Sequence, residues 1–256
     1  MNQLFMIKEY FRLYTKITLT NKVGFLWYLV FPLVAFVVYH YDWINSKPDI
    51  QSFYVQTSMF IAYIIFVMSI DVTTSLIAMR ETGFLKMFKF VSGSKSAMIM
   101  GKILNQLAFL LLATLIFSVI TGLMMLDDLK DAGIFVICSL FSSLFASIPV
   151  TFFFLILLLI PIKQESLVTI LNILLFALFF ITAKSLSHSA SWGILLLYLN
   201  PLELIRSLTF LVTEIITGNS FHNFGLLSIG TAGSAYFILG LFSLKWMKIT
   251  SPTQRT

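Results

Sequence analysis

Two stretches of this sequence, FLLLATLIFSVI (109–120) and TFFFLILLLI (151–160), are continuously uncharged and almost wholly apolar. Strands of a membrane barrel alternate lumen and lipid faces over about 10 residues, so runs of this kind predict helices. They are too many for a water-soluble core. A soluble domain carries about 25% charged residues, whereas this 256-residue chain has 11% charged and 59% hydrophobic residues. About 20 apolar residues, rising about 1.5 Å each, cross the hydrocarbon of a bilayer. Six segments reach that length: about 23–41, 53–77, 102–126, 133–160, 167–184 and 225–246. The expected fold is an all-α polytopic membrane protein, a single transmembrane domain over 1–256 with six transmembrane helices. Little remains for a catalytic or motor domain outside the bilayer.

The formal net charge of +6 could suggest nucleic acid in a soluble chain. In a membrane protein, Lys and Arg mark the cytoplasmic loops instead. With six spans, thirteen of the 17 Lys and Arg residues fall on one side: Lys8, Arg12, Lys16, Lys22, Arg80, Lys86, Lys89, Lys95, Lys102, Lys163, Lys245, Lys248 and Arg255. Lys47, Lys130, Lys184 and Arg206 fall on the other. That asymmetry places both termini in the cytoplasm and predicts no nucleic acid partner. The first 22 residues carry too many charges for the apolar core of a signal peptide, so the N-terminus is expected to stay attached.

Three segments outside the spans have a pattern of their own. In residues 1–22, Leu4, Ile7, Phe11 and Tyr14 recur at helical spacing while Lys8, Arg12 and Lys16 form a separate row. This reads as an amphipathic interfacial helix in the headgroup layer, or else as a basic tail that sets topology. Residues 80–102 place Phe84, Phe88 and Val91 at i, i+4 and i+7, a short amphipathic helix over 80–92 ending near Ser92 and Gly93. Residues 185–224 are too apolar for a solvated loop, yet Asn200 and Pro201 break them. Asn is a favoured N-cap and Pro a favoured first residue of a helix. The segment therefore reads as two short helices dipping into the outer leaflet; a seventh span is the alternative.

Sites of chemistry are sparse. Gly93-Ser94-Lys95-Ser96 fails the phosphate-loop pattern, which needs Gly directly before the Lys and again five residues earlier. Cys138 is the only cysteine and has no partner for a disulfide, and no Cys/His cluster has metal-ligand spacing. His40, His188 and His222 all fall near the expected outer face. The one acid inside a span is Asp71, which is costly there unless it faces protein or water. It is either a polar point of a translocation path or a structural pair with a basic residue of the N-terminal helix. Pro149 is the expected kink in the fourth span. Ser228, Gly230, Ala232, Gly233, Ser234 and Gly240 in the last span permit close helix contact, within the subunit or between two.

In this order of elements the chain resembles the permease subunits of type-2 ATP-binding-cassette exporters, in particular the small bacterial peptide and drug exporters. The local matches are Arg80-Glu81-Thr82-Gly83-Phe84-Leu85, followed by Gly101-Lys102-Ile103-Leu104, and Tyr198-Leu199-Asn200-Pro201-Leu202 with Arg206. The resemblance implies that 80–92 is a coupling helix seated in a separate ATPase subunit. Phe84 and Phe88 would be its apolar anchors, and Arg80, Glu81, Lys86 and Lys89 its polar contacts, with Gly83 and Leu85 completing the motif. It also implies an outer gate or re-entrant segment at Asn200, Pro201 and Arg206. The family's Pro after the coupling helix is missing near Gly93, as are its Ser-Gly and Pro after the fifth span, which reads Ile181-Thr182-Ala183-Lys184.

The function implied is export of an amphipathic substrate across a bacterial plasma membrane, such as a toxin or antimicrobial peptide to which it gives immunity. Drugs or glycolipids are the alternative cargo. The chain would not be an enzyme by itself: ATP and Mg would be bound by two copies of the ATPase partner, and a second permease copy or a homologous permease would complete the pathway among membrane lipids. An ion-coupled secondary carrier should instead show inverted repeats and several intramembrane ionisable groups.

Overall fold

A computed structural model describes residues 3–20, 22–92, 95–185, 190–221 and 224–248. Gly93, Ser94, His188, His222 and Arg255, which entered the reading of the sequence, lie outside them, as does the side chain of Val91. Among the described residues the regular structure is entirely helical: α1 (Gln3–Thr20), α2 (Lys22–Tyr39), α3 (Ile50–Glu81), α4 (Phe84–Ser92), α5 (Lys95–Met125), α6 (Leu129–Phe154), α7 (Gln164–Ser185), α8 (Ala190–Leu199), α9 (Pro201–Thr217) and α10 (Leu226–Trp246). Short 3-10 segments at Tyr41–Ile44 and Leu155–Leu159 follow α2 and α6.

Five helices are long and apolar enough to cross a membrane: α3, α5, α6 with its 3-10 extension, α7 and α10. Together α8 and α9 would make a sixth, but they bend by 107° at Asn200. This is a multi-pass membrane protein by helix length and composition. The first expected span falls on α2, whose apolar part from Trp27 to Tyr39 is shorter than the other five.

Burial orders these helices from centre to edge. In its most apolar stretch α3 is 67% buried, against 22% for α7, so α3 is the axis of the bundle and α7 its rim. Lipid tails are as apolar as Leu, so the helices are held by close packing and polar contacts rather than by apolar burial alone. Thr151 donates to Ser69 at 3.1 Å, joining α6 to α3, and Thr114 meets Ser143 at 3.1 Å between α5 and α6. Gly240 brings α10 onto the backbone of Phe152, where any Cβ would collide. The small residues of α10 divide accordingly: Ala232 and Gly240 pack within the chain, while Gly230 and Ser234 face outward.

Helical structure continues through Pro149, the expected site of a kink, and regular α geometry gives way to the 3-10 turn after Phe154. The N-terminal helix is more than an interfacial float, because it is docked along the beginning of α5. A Cβ at Gly101 would sit 2.6 Å from Tyr10 Cβ and 3.1 Å from the Phe11 amide nitrogen, so only glycine permits that approach. Thr15 donates to Asn105 at 3.0 Å, and Asn105 donates to Thr18 at 3.1 Å.

Candidate functional site

The residues singled out in the sequence fall in three places. The first is the corner where α3 turns into α4. Gly83 makes the corner possible, since its φ of +78° is a left-handed conformation that side chains with a Cβ resist. Arg80, one turn earlier, is 3% exposed and turned inward. It donates to the Leu158 carbonyl at 2.7 Å and the Ile160 carbonyl at 3.4 Å. Those are acceptors that the 3-10 turn after α6 leaves without helical partners. Glu81 accepts from the Gln164 amide at 2.9 Å, placing a carboxylate at the N-terminus of α7, where the helix dipole favours negative charge. Both residues were expected on a docking surface; in the structure they tie the end of α3 to α6 and α7.

The free surface of α4 is made by other residues. Leu85 is buried and Phe88 is half-buried, packing edge-on against Tyr10 of α1 at 5.6 Å. Phe84 and Met87 are each 49% exposed and Phe90 is 91% exposed, with Lys86 and Lys89 exposed between them. The i, i+4, i+7 spacing puts Phe84, Phe88 and Val91 in one stripe and passes over Met87 and Phe90. The row Phe84, Met87, Phe90 at three-residue intervals was there to be read, but only packing decides which apolar row turns inward.

The second place is a partly open cavity of about 110 Å³ bordered by α1, α2, α3 and α5. Asp71 lies in it, and its partner is Lys102 of α5, at 3.0 Å. The expected partner was a basic residue of the N-terminal helix. Thr18, Tyr28, Ser75 and Gln106 also line the cavity, and the Tyr28 hydroxyl faces the same carboxylate. The Lys102 ammonium also lies 5.9 Å from the Tyr14 ring centroid, within reach of a cation–π contact.

The third place is the knee between α8 and α9. Asn200 caps α9 by accepting from the Leu202 amide at 3.0 Å, and donates to Thr182 of α7 at 2.6 Å. Arg206 donates to the Thr182 carbonyl at 3.0 Å and to Glu203 at 2.8 Å. Glu203 and Arg206 are both buried, a paired charge of the kind tolerated away from water. Glu203 escaped the sequence reading, although its i, i+3 spacing to Arg206 was a usable signal.

Between these places, α2, α3 and α7 border an open groove of about 440 Å³. Phe31, Tyr63, Phe176 and Phe180 supply aromatic walls, and Gln56 and His40 supply polar groups. Of its lining residues the sequence points to His40 alone, at the expected outer face. Among the described residues no group of three or more His, Cys, Asp or Glu could hold a metal ion. No family model matches the chain, and no curated protein or solved structure matches it.

Proposed function

We propose that this chain is the membrane-spanning half of an exporter driven by a separate ATPase, similar to the permease subunits of type-2 ATP-binding-cassette exporters. The observation that carries this reading is the α3–α4 corner. A helix with exposed Phe84, Met87, Phe90, Lys86 and Lys89 sits at the end of the central helix. Just before it in the chain, Arg80 and Glu81 bond α6 and α7. A partner gripping α4 would therefore move three helices at once, rather than bending a loose loop.

In this mechanism two ATPase subunits bind ATP and Mg, and their closure pushes the coupling helices of two permeases, identical or homologous. Rigid-body rocking then exchanges inward-open and outward-open states. Phe84 is an anchor, as the resemblance implies, and Met87 and Phe90 join it. The remainder of the six-helix topology follows: α2 as the first span, α8–α9 as a re-entrant gate held by Asn200, Pro201 and Arg206, and both termini in the cytoplasm of a bacterial cell. The exposed rims of α2 and α7 accept the second permease, with the aromatic groove between them as half of the pathway. An amphipathic peptide fits that groove, whose apolar walls carry few polar groups; drugs and glycolipids are the second class.

The test is co-purification in detergent with an ATP-binding-cassette ATPase co-expressed from the same genome, followed by ATP-dependent export in inverted vesicles. Stable association that F84A/M87A/F90A abolishes supports the reading. Full transport by the lone chain in liposomes refutes it and favours an ion-coupled carrier built on Asp71.

A further inference from the structure

We infer that the outward face of α1 is a recognition surface for anionic phospholipid headgroups. Lys8, Arg12 and Lys16 follow one another at four-residue intervals, and all three are exposed. Residues four apart share a helix face, so the three form one stripe about 12 Å long at 1.5 Å per residue. Glu9 offsets part of this charge through a 2.9 Å pair with Arg12, and the stripe keeps a net positive charge.

The orientation of that stripe is fixed. A different side of α1, the one carrying Tyr10 and the buried Tyr14, is held against α5 at Gly101, with the Thr15–Asn105 and Thr18–Asn105 bonds fastening its edge. Tyr10, which packs on α4 through Phe88, is two residues from both Lys8 and Arg12. Two residues are about 200° around a helix, so the basic row points away from α4. A protein seated on α4 therefore leaves it uncovered.

Leu4, Phe5, Leu13, Ile17 and Leu19 on α1 are exposed as well, Leu4 by 73%. Apolar and basic side chains exposed together on one helix suit the boundary between headgroups and acyl chains, where both are satisfied. The chain itself keeps α1 there, because α1 ends at Thr20 and the apolar α2 begins at Lys22. Charge complementarity then selects the lipid: basic residues near a membrane surface attract anionic headgroups, with an effect of about fivefold per residue at low salt. This inference depends on the membrane setting of α1 and not on the ATPase partner.

The experiment reconstitutes the full chain in phosphatidylcholine vesicles containing phosphatidylglycerol. Polymer extraction then recovers each protein with its neighbouring lipids, which are quantified by mass spectrometry. The wild type should retain phosphatidylglycerol above its bulk fraction, by about twofold or more. Enrichment should fall to the bulk value in K8Q/R12Q/K16Q and persist in K86Q/K89Q on α4. K8R/R12K/K16R keeps the charge and should keep the enrichment, which separates charge from folding. Raising the salt to about 1 M, where the screening length is about 3 Å, should abolish it. Wild-type enrichment in the glutamine variant, its survival at high salt, or its absence from the wild type, as expected if the stripe serves an acidic protein, would each overturn the inference.

Discussion

The Lys102 ammonium lies 3.0 Å from the Asp71 carboxylate, Lys102 being 8% and Asp71 27% exposed in their side chains. The pair spans α5 and α3 beside a cavity that α1 and α2 also border. Removing one partner strands the other charge away from water, which costs more than the pair itself contributes. Asp71→Asn should lower stability by about 2 kcal/mol, and adding Lys102→Met should restore part of it. Unfolding of the single and double variants in detergent would measure the coupling, expected near 1 kcal/mol for a contact within a helix bundle. Strict additivity would mean that the two side chains do not interact.

Arg80 is the fastening between the end of α3 and the unwound end of α6. Arg80→Met leaves the Leu158 and Ile160 carbonyls without that donor, a loss of about 1–3 kcal/mol. Hydrogen exchange should rise locally over Leu155–Gln164 rather than across the whole bundle. Glu81→Gln keeps an acceptor for the Gln164 amide and should cost less than 1 kcal/mol, whereas Glu81→Lys places like polarity at the α7 N-terminus and should fray its first turn.

Substitution at Gly101 has a different physical cause. An added Cβ meets Tyr10 Cβ and the Phe11 backbone, so α1 must move away. Gly101→Val should release α1 at an overpacking cost of about 1–3 kcal/mol, detected as faster exchange of amides Met6–Thr18 and earlier proteolysis of the N-terminal segment. By contrast Gly83→Ala meets nothing within 4 Å. Its cost, about 1 kcal/mol, comes only from the left-handed backbone. Equal behaviour of these two variants would contradict the packing described.

Asp49 caps α3 by accepting from the Ser52 amide and hydroxyl, both at 2.7 Å. Those bonds hold its carboxyl below the ordinary value of 3.8. A depressed acid stabilises the folded state above its unfolded pKa, and the contribution fades as pH falls through the lower folded value. Protection of amides Ile50–Phe53 should therefore decline below about pH 4 in the wild type. Asp49→Ala should lack the cap at every pH and show a flatter profile; identical profiles would exclude this capping role.

Much of the architecture was legible because membrane helices are written in long apolar runs. The Asn200–Pro201 break and the presence of α3, α4, α5 and α10 follow from composition and cap chemistry, which are local, although α3 runs on to Glu81 and α5 already begins at Lys95. Side-chain destinations were less legible. Arg80 and Glu81 look like surface charges in a basic loop, and only the arrival of α6 and α7 turns them inward. Asp71 announced that it needed a partner, but Lys102 is 31 residues away in sequence, and several basic residues could have met it.

The sequence by itself determined that the chain is helical, enters the bilayer repeatedly and breaks before α9. These properties depend on hydrogen bonds within each helix and on transfer of each segment into hydrocarbon. Only the tertiary structure decided which face of α4 stays exposed, which charge neutralises Asp71 and that α1 is clasped by α5. Those outcomes depend on how distant helices meet, and several pairings satisfy the same local pattern until packing selects one.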